Sequence, residues 1–580
     1  MDVPELAERK GASGAGPLAE AAGARSAASV LAVDSAAPHS SDAGCLNGRS
    51  ADATRAAGHT LIFHVATVLV VAAVVLVRLW PLVRFHMLGG ILEYDDGVYY
   101  DAGVHLAGGN LPYRDFIFVQ PPGIALLLAP FAALAKLTGD QTALILARIG
   151  IVIVAAANAY LMMRLLRRWA GPVAAVAAGG IYAAWGGAAA TERTILLEPL
   201  LGLGLLGAMT LLSDRLGPGV RSPQRPGARS PQRPGARSPQ RPGARVVMAG
   251  VVLGLAMAVK TWAVVDVVIL ALWLLWRPGW RTALAFLGGA VGTAAVVCTP
   301  FFIAAPGAMV RQVIFSQLGR TQPLTFGTKV FLHQVAGVGQ VYRSAGASIS
   351  LVVAVLVVFA VAILVTLLCG PRIWAVFAIV QIVLVVPQIT YTYHYMDFAA
   401  PAVAACAGIA ADRLLRAAGR LWRPAVLVPA AAIAAFVWLL AFQSVTEDVI
   451  GLRTPSALSA FVTAHRCTFS DFPAVLAVTN AETPQLKRHC PNLVDYTGSA
   501  FTFGHGGLIE VTRSNGQHRF IRPGAWQAEV RKAMAGSDSA VLTWRPERWT
   551  SATNRFFYHR FRAAGRSGRF KFWVLRGAGP

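Results

Sequence analysis

Ionisable side chains are scarce in this sequence: Asp, Glu, Lys and Arg together make up 14% of 580 residues, against 55% apolar ones. Scarcity on that scale excludes an ordinary soluble enzyme, in which about a quarter of the residues carry charge. Acids are the scarcer sign, 28 against 52 Lys and Arg, which leaves a net charge of +24. A nucleic-acid binder would gather such an excess into a patch. Here it falls in short clusters between apolar runs of membrane-spanning length, the pattern that orients helices across a bilayer. Cysteine is rare as well, with six in the chain, and their spacing matches no zinc site. Two further absences narrow the class. The N-terminal region lacks the short apolar core and cleavage site of a signal peptide, and the apolar segments lack the internal symmetry common in secondary transporters. What remains is a mainly α, polytopic membrane protein.

Residues 1–58, rich in Ala, Gly and Ser, read as a disordered cytoplasmic tail. The first span, about 60–84, is long enough for a hydrocarbon core of about 30 Å. It delivers residues 85–141, a loop rich in acids and aromatics, to the outer face. The next apolar run, 121–137, decides the topology. If it crosses, the basic clusters at 164–169, 215–245, 276–281 and 412–424 fall outside, against the positive-inside tendency. Short, broken by Pro130 and ended by Lys136, it reads instead as a juxtamembrane or re-entrant helix. Further spans follow at about 142–164, 171–190, 195–213, 246–262, 263–277, 282–304, 347–369, 372–390, 397–413 and 424–442. These make about eleven transmembrane helices in a core of 59–442, with the N-terminus cytoplasmic and an outer loop at 305–346.

The cytoplasmic linker 214–245 carries "RSPQRPGA" three times in tandem. Pro and Gly at this density forbid helix or sheet, so it is a solvated spacer or a basic contact with anionic headgroups. Beyond 443 the apolar runs shorten to "PAVLAVTN" (473–480), "SAVLTW" (539–544) and "FKFWVLRG" (570–577). These read as strands of an extracytoplasmic α/β domain, 443–580. Cys467 and Cys490 lie in that domain, where a disulfide persists, and they are expected to pair. Cys298, Cys369 and Cys406 fall in spans as small apolar fillers.

The outer loop carries the chemistry. "EYDDGVYYDAG" (93–103), "GNLPYRDF" (109–116) and "QPPG" (120–123) place the acid pair Asp95 and Asp96, then Arg114 and Asp115, among too many aromatics and turn residues for a plain connector. This loop resembles the first outer loop of the GT-C glycosyltransferases, multi-spanning enzymes that use lipid-phosphate-linked sugars. They include the protein mannosyltransferases, the aminoarabinose transferases and the actinobacterial lipoglycan mannosyl- and arabinosyltransferases. The resemblance covers about 60–442, and members with an outer C-terminal domain match the tail. Within the family the chain is most similar to the mycobacterial mannosyltransferases of lipoglycans such as lipoarabinomannan.

The resemblance implies a donor sugar, mannose or alternatively arabinose, on a polyprenyl phosphate, and a cell-envelope glycan or lipoglycan acceptor. It puts Asp95 at the catalytic acidic position and Asp96 where many members have Glu. With a phosphate already in place as leaving group, one carboxylate taking the acceptor's proton suffices for an inverting displacement, unlike the two-carboxylate retaining scheme. Cations on the same face would stabilise the departing phosphate, and the candidates are Lys260, Arg148, Arg311, Arg320 and His394. Lys260 stands out because an ammonium in so apolar a stretch needs a partner. Glu192 and Glu198 contact the acceptor or pair with Arg193, and Asp101, Arg114 and Asp115 contact the acceptor or shape the loop. A divalent cation between Asp95 and Asp96 is conceivable, although carboxylates alone do not specify one. A function of another class stays open: a lipid-sugar flippase or transporter would share the polytopic pattern.

Overall fold

The computed structural model describes residues 42–216, 243–276, 279–320, 328–338, 348–388, 391–421, 432, 435–436, 451–503, 509–512, 518–543 and 549–577. The sequence-expected span at 424–442 and the repeats of the 214–245 linker fall largely outside them, as does most of the 1–58 tail. The chain divides into two units, Met1–Thr60 and Leu61–Pro580. The described part of the first is the start of the helix Asp42–Arg84. The second contains everything that follows.

Long apolar runs become helices because, in hydrocarbon, every backbone N–H and C=O must be satisfied within its own segment, and Pro81, Pro130 and Pro300 are accommodated inside them. Among the described residues, four helical stretches are long and apolar enough to cross a membrane: Thr60–Arg84, Asp140–Trp169, Trp280–Ala304 and Ile349–Cys369. Six shorter apolar helices accompany them: Gly123–Thr138, Pro172–Ala184, Glu198–Leu211, Ala244–Val259, Ala263–Trp276 and Arg372–Val385. The expected span at 171–190 is cut at Trp185, which is extended between Pro172–Ala184 and Gly186–Thr191. On Thr60–Arg84, Leu61, Ile62, Val68 and Leu69 are all more than 60% exposed, the surface a helix presents to lipid rather than to water.

Small residues let these helices approach closely, as they do where no hydrophobic effect drives helices together. Gly250 and Gly254 of Ala244–Val259 face Trp280–Ala304 so tightly that an added Cβ would lie 2.1 Å from the Phe286 carbonyl oxygen and 2.4 Å from that of Ala290. Gly408 does the same between Ala400–Leu421 and Pro172–Ala184, 2.3 Å from the Ala174 oxygen.

The C-terminal segment carries a four-stranded sheet in the order β1 (Thr468–Ser470), β4 (Ser539–Leu542), β6 (Phe570–Leu575), β5 (Phe561–Ser567). β1 runs parallel to β4, and the other pairs are antiparallel. A separate antiparallel pair joins β2 (Ile509–Thr512) to β3 (His518–Ile521). An aromatic core of Phe469, Trp526, Trp549, Phe557 and Phe561 lies under the larger sheet. Two of its indole N–H groups donate within the segment, Trp526 to the Tyr496 carbonyl at 3.0 Å and Trp549 to the Tyr496 hydroxyl at 2.7 Å. Of the three expected strands, 539–544 and 570–577 contain β4 and β6. The run "PAVLAVTN" instead forms the helix Ala474–Val478, entered from Pro473 at φ −55°, ψ −38°. Every one of its residues is buried, so the run carries no alternation from which strand and helix can be told apart.

This segment belongs to the same compact unit as the apolar helices. Ile91 and Leu452 exchange backbone hydrogen bonds of 2.9 and 2.8 Å, and Asp140 accepts from Thr483 N at 3.0 Å. Cys467 and Cys490 are joined by a disulfide.

Candidate active site

The acid pair opens the helix Tyr94–Ala107, and helical geometry turns adjacent side chains about 100° apart. The two carboxylates therefore enter different surroundings. Asp96 is fully buried: its oxygens accept from the Arg148 guanidinium, with Nε at 3.1 Å, and from the Ile195 backbone N–H at 2.9 Å. Arg148 in turn donates to the Leu88 carbonyl at 2.7 Å. The Arg148 expected to meet a donor phosphate is thus enclosed by Asp96, and Asp96 is occupied by Arg148. Asp96, held in this pairing, does not line the cavity that Asp95 lines.

Asp95 is half-buried and lines a cavity of about 300 Å³. Around it stand Lys260, His394 and Arg320, with Trp262 and Tyr395 as aromatic wall. Burial pushes the Asp95 carboxyl up to about 6; His394 and Arg320 pull it down, while Asp495 and Glu93 push it further up. A carboxylate so poised near neutrality suits general-base work better than one held at its ordinary value.

The chain places each cation by a local break. Lys260 follows Ala244–Val259 in an extended conformation, φ −149° and ψ 132°, before Ala263–Trp276 begins. Its Nζ lies 2.5 Å from Glu198 Oε1 and 3.7 Å from the Trp262 ring centroid. His394 sits in the short 3₁₀ helix Tyr393–Phe398 with Nδ1 3.0 Å from the same Glu198 oxygen. Glu198, at the start of Glu198–Leu211, therefore orients both groups, which is a different role from contacting the acceptor or pairing with Arg193. Arg320 lies over Phe501 at 4.7 Å from the ring centroid, and its Nε has no hydrogen-bond partner.

The remaining expected residues lie elsewhere. Glu192 is buried and paired with Arg78, whose Nε donates at 2.6 Å, and it accepts from the Tyr182 hydroxyl. That pairing replaces the expected one with Arg193, whose Nη2 donates to the Val77 carbonyl. Arg114 and Asp115 form an exposed pair at 2.8 Å, and Asp115 also accepts from Leu111 N at 2.7 Å, shaping the loop. Arg311 is exposed in the π-helical turn Arg311–Phe315 and does not line the cavity.

The C-terminal segment contributes to the site through residues that no sequence motif marks. Asp495, Thr497, Gly498 and Phe501 line the cavity beside Asp95. The Tyr94 hydroxyl donates to Asp495 Oδ1 at 3.0 Å and accepts from Thr497 N at 2.6 Å. No local pattern announces a partner 401 residues away.

No family model matches the chain, and no curated sequence is similar to it. Solved structures do match. ArnT from Cupriavidus metallidurans in the apo state aligns with 91% of this chain and 100% of its own at 14% identity, TM-score 0.51. The same protein bound to undecaprenyl phosphate aligns with 90% and 99% at 13% identity, TM-score 0.53. The oligosaccharyltransferase AglB from Archaeoglobus fulgidus, in complex with an inhibitory peptide and a dolichol-phosphate, aligns with 90% and 75% at 11% identity, TM-score 0.49. At such identities the likeness speaks of the fold: the chain has the architecture of ArnT, a GT-C fold.

Proposed function

We propose that this chain is a membrane glycosyltransferase that moves mannose from a polyprenyl phosphate to a cell-envelope glycan or lipoglycan, such as the arabinan of lipoarabinomannan, on the outer face. One observation carries the reading: a half-buried carboxylate shares a single cavity with three basic side chains, Lys260, His394 and Arg320. ArnT, whose fold the chain has, has been crystallised with undecaprenyl phosphate. In the reaction, Asp95 takes the proton of the acceptor hydroxyl as its oxygen bonds to the anomeric carbon. The bond from that carbon to the phosphate oxygen breaks, and the polyprenyl phosphate leaves with the electron pair. Lys260 and Arg320 stabilise the charge it gains, while Glu198 keeps Lys260 and His394 aimed. A single displacement inverts the anomeric centre.

This reading includes the topology: about eleven spans with the shorter apolar helices among them, the N-terminus cytoplasmic, and 443–580 as an outer domain closing over the loop. The basic clusters at 164–169, 215–245, 276–281 and 412–424, all cytoplasmic in this arrangement, support that orientation.

The test is transfer of radiolabelled mannose from polyprenyl-phosphomannose to an arabinan acceptor, in membranes holding matched amounts of wild type or Asp95→Asn. Product from wild type alone supports donor and base together. Equal product from both removes Asp95 from the chemistry. Product only with phosphoarabinose changes the sugar, and movement of the donor across the bilayer without glycosidic product replaces the enzyme with a flippase.

A further inference from the structure

One cluster takes no part in the reaction above. Asp101 and His105 stand one turn apart on Tyr94–Ala107, and Glu482 opens the helix Glu482–Lys487 of the C-terminal segment. One ligand-capable atom from each lies within 4.8 Å of the other two, and His105 Nε2 is 3.5 Å from Asp101 Oδ1. Asp101 is 0% and Glu482 1% exposed.

Asn492 Nδ2 donates to Asp101 Oδ2 at 2.8 Å and to Glu482 Oε1 at 3.0 Å. It satisfies one oxygen of each carboxylate and leaves the other bare. Asp101 Oδ1, Glu482 Oε2 and His105 Nε2 are all buried without a hydrogen-bond partner. Three buried polar atoms without hydrogen-bond partners, converging in one place, are costly unless a cation or a shared proton sits among them.

We propose that Asp101, His105 and Glu482 bind a divalent cation of the zinc class, clamping the helix that carries Asp95 to the C-terminal segment. One imidazole nitrogen and two carboxylate oxygens form a donor set suited to zinc rather than to the all-oxygen shells of calcium or magnesium. Ligands at ~2.1 Å in a tetrahedron lie ~3.4 Å from one another, so the Asp101–His105 edge already has the needed length. His105 Nδ1 faces the Asn110 amide at 3.2 Å. With that amide turned to present its oxygen, Nδ1–H donates and Nε2 keeps its lone pair for the metal. A second cavity of about 420 Å³, lined by His105 and Asn492, gives the ion its path and supplies water as fourth ligand. Six residues along a helix is ~9 Å, so the cation does not touch atoms reacting at Asp95. The site stands independently of the sugar transferred.

The experiment uses the full chain purified in detergent with its affinity tag removed, stripped with a chelator, equilibrated with zinc and desalted. Elemental analysis is expected to find about one zinc per wild-type chain and on the order of tenfold less in Glu482→Gln and His105→Ala. Zinc should raise the wild-type unfolding temperature above that of chelator-treated protein and leave the variants unmoved. Wild type without bound zinc, or variants that keep as much as wild type, would overturn the site. If the variants fail to fold, the wild-type stoichiometry and its chelator-dependent unfolding decide alone, and absence of either counts against it. Stabilisation by calcium or magnesium but not zinc would overturn the assigned class. Stabilisation on acidification with no metal effect would mean that a shared proton occupies the cluster instead.

Discussion

Asp95 and Asp96 are neighbours in sequence with opposite fates: one faces the cavity, and the other is held between Arg148 and the Ile195 amide. In the proposed reaction Asp95, as general base, should account for about 10²–10⁴ of the rate. Asp95→Asn should lose transfer by that factor while donor binding persists, as single-turnover and donor-binding measurements would show. With the carboxyl at about 6, wild-type kcat/KM should climb as pH rises through 6 and level off above it. A residual rate in Asp95→Asn that keeps the same limb would assign the titration to another group. The sign for stability is opposite. Because folding raises this carboxyl above its ordinary value, the folded state binds the proton more tightly, and stability is lost as pH rises through about 6. Asp95→Asn should therefore unfold at a higher temperature than wild type at pH 8 and not at pH 4.5. Lys260 differs in kind, since its ammonium balances Glu198 in a buried pair. Lys260→Met should cost both activity and about 3–5 kcal/mol of stability, because the buried Glu198 loses its ammonium partner and keeps only His394. Lys260→Met/Glu198→Gln should recover much of the stability and none of the activity.

The helix Tyr94–Ala107 is fixed by two kinds of contact, and each fails in its own way. At Gly97 an added Cβ would stand 2.2 Å from the Ala474 backbone nitrogen, so backbone rather than a movable side chain blocks it. Gly97→Ala should shift the helix and lower transfer more than Asn substitution at the exposed Asp115, with unfolding temperature as the parallel readout. The Asp96–Arg148 pair is the second contact. Asp96→Ala should destabilise by about 3–5 kcal/mol, and the apolar double replacement Asp96→Leu/Arg148→Met by less. Loss of activity from Asp96→Ala without loss of stability would instead return Asp96 to the chemistry. Much of this was legible in the sequence. The apolar runs, the acid pair, the turn at Lys260 and the need of that lysine for a partner follow from composition and spacing. The partner's identity did not, because Glu198, Lys260 and His394 meet through tertiary folding across 196 residues. Nor did the helix Ala474–Val478, since a short run buried on every side has no period to read.

For the molecule as a whole, the C-terminal segment is wall as well as cover. Asp495, Thr497 and Phe501 complete a cavity whose base lies near the start of the helical core, and the Cys467–Cys490 disulfide closes a 23-residue stretch just before them. Cys467→Ala/Cys490→Ala should destabilise the segment by about 3 kcal/mol. Transfer should fail at a lower temperature than in wild type, and an unchanged thermal profile would show that the bridge does nothing for the site. The hydrogen bond between Tyr94 and Asp495 spans 401 residues, which has a consequence in time as well as in space. At a synthesis rate of ~5–20 residues per second, Asp95 is made roughly 20–80 s before Asp495 exists. Lys260, Arg320 and His394 join Asp95 in the course of that interval, and until it ends the nascent chain has no closed cavity around them. On the proposed function, polyprenyl-linked sugar in the same membrane would meet no complete site until the last quarter of the chain has been translated and folded against the first.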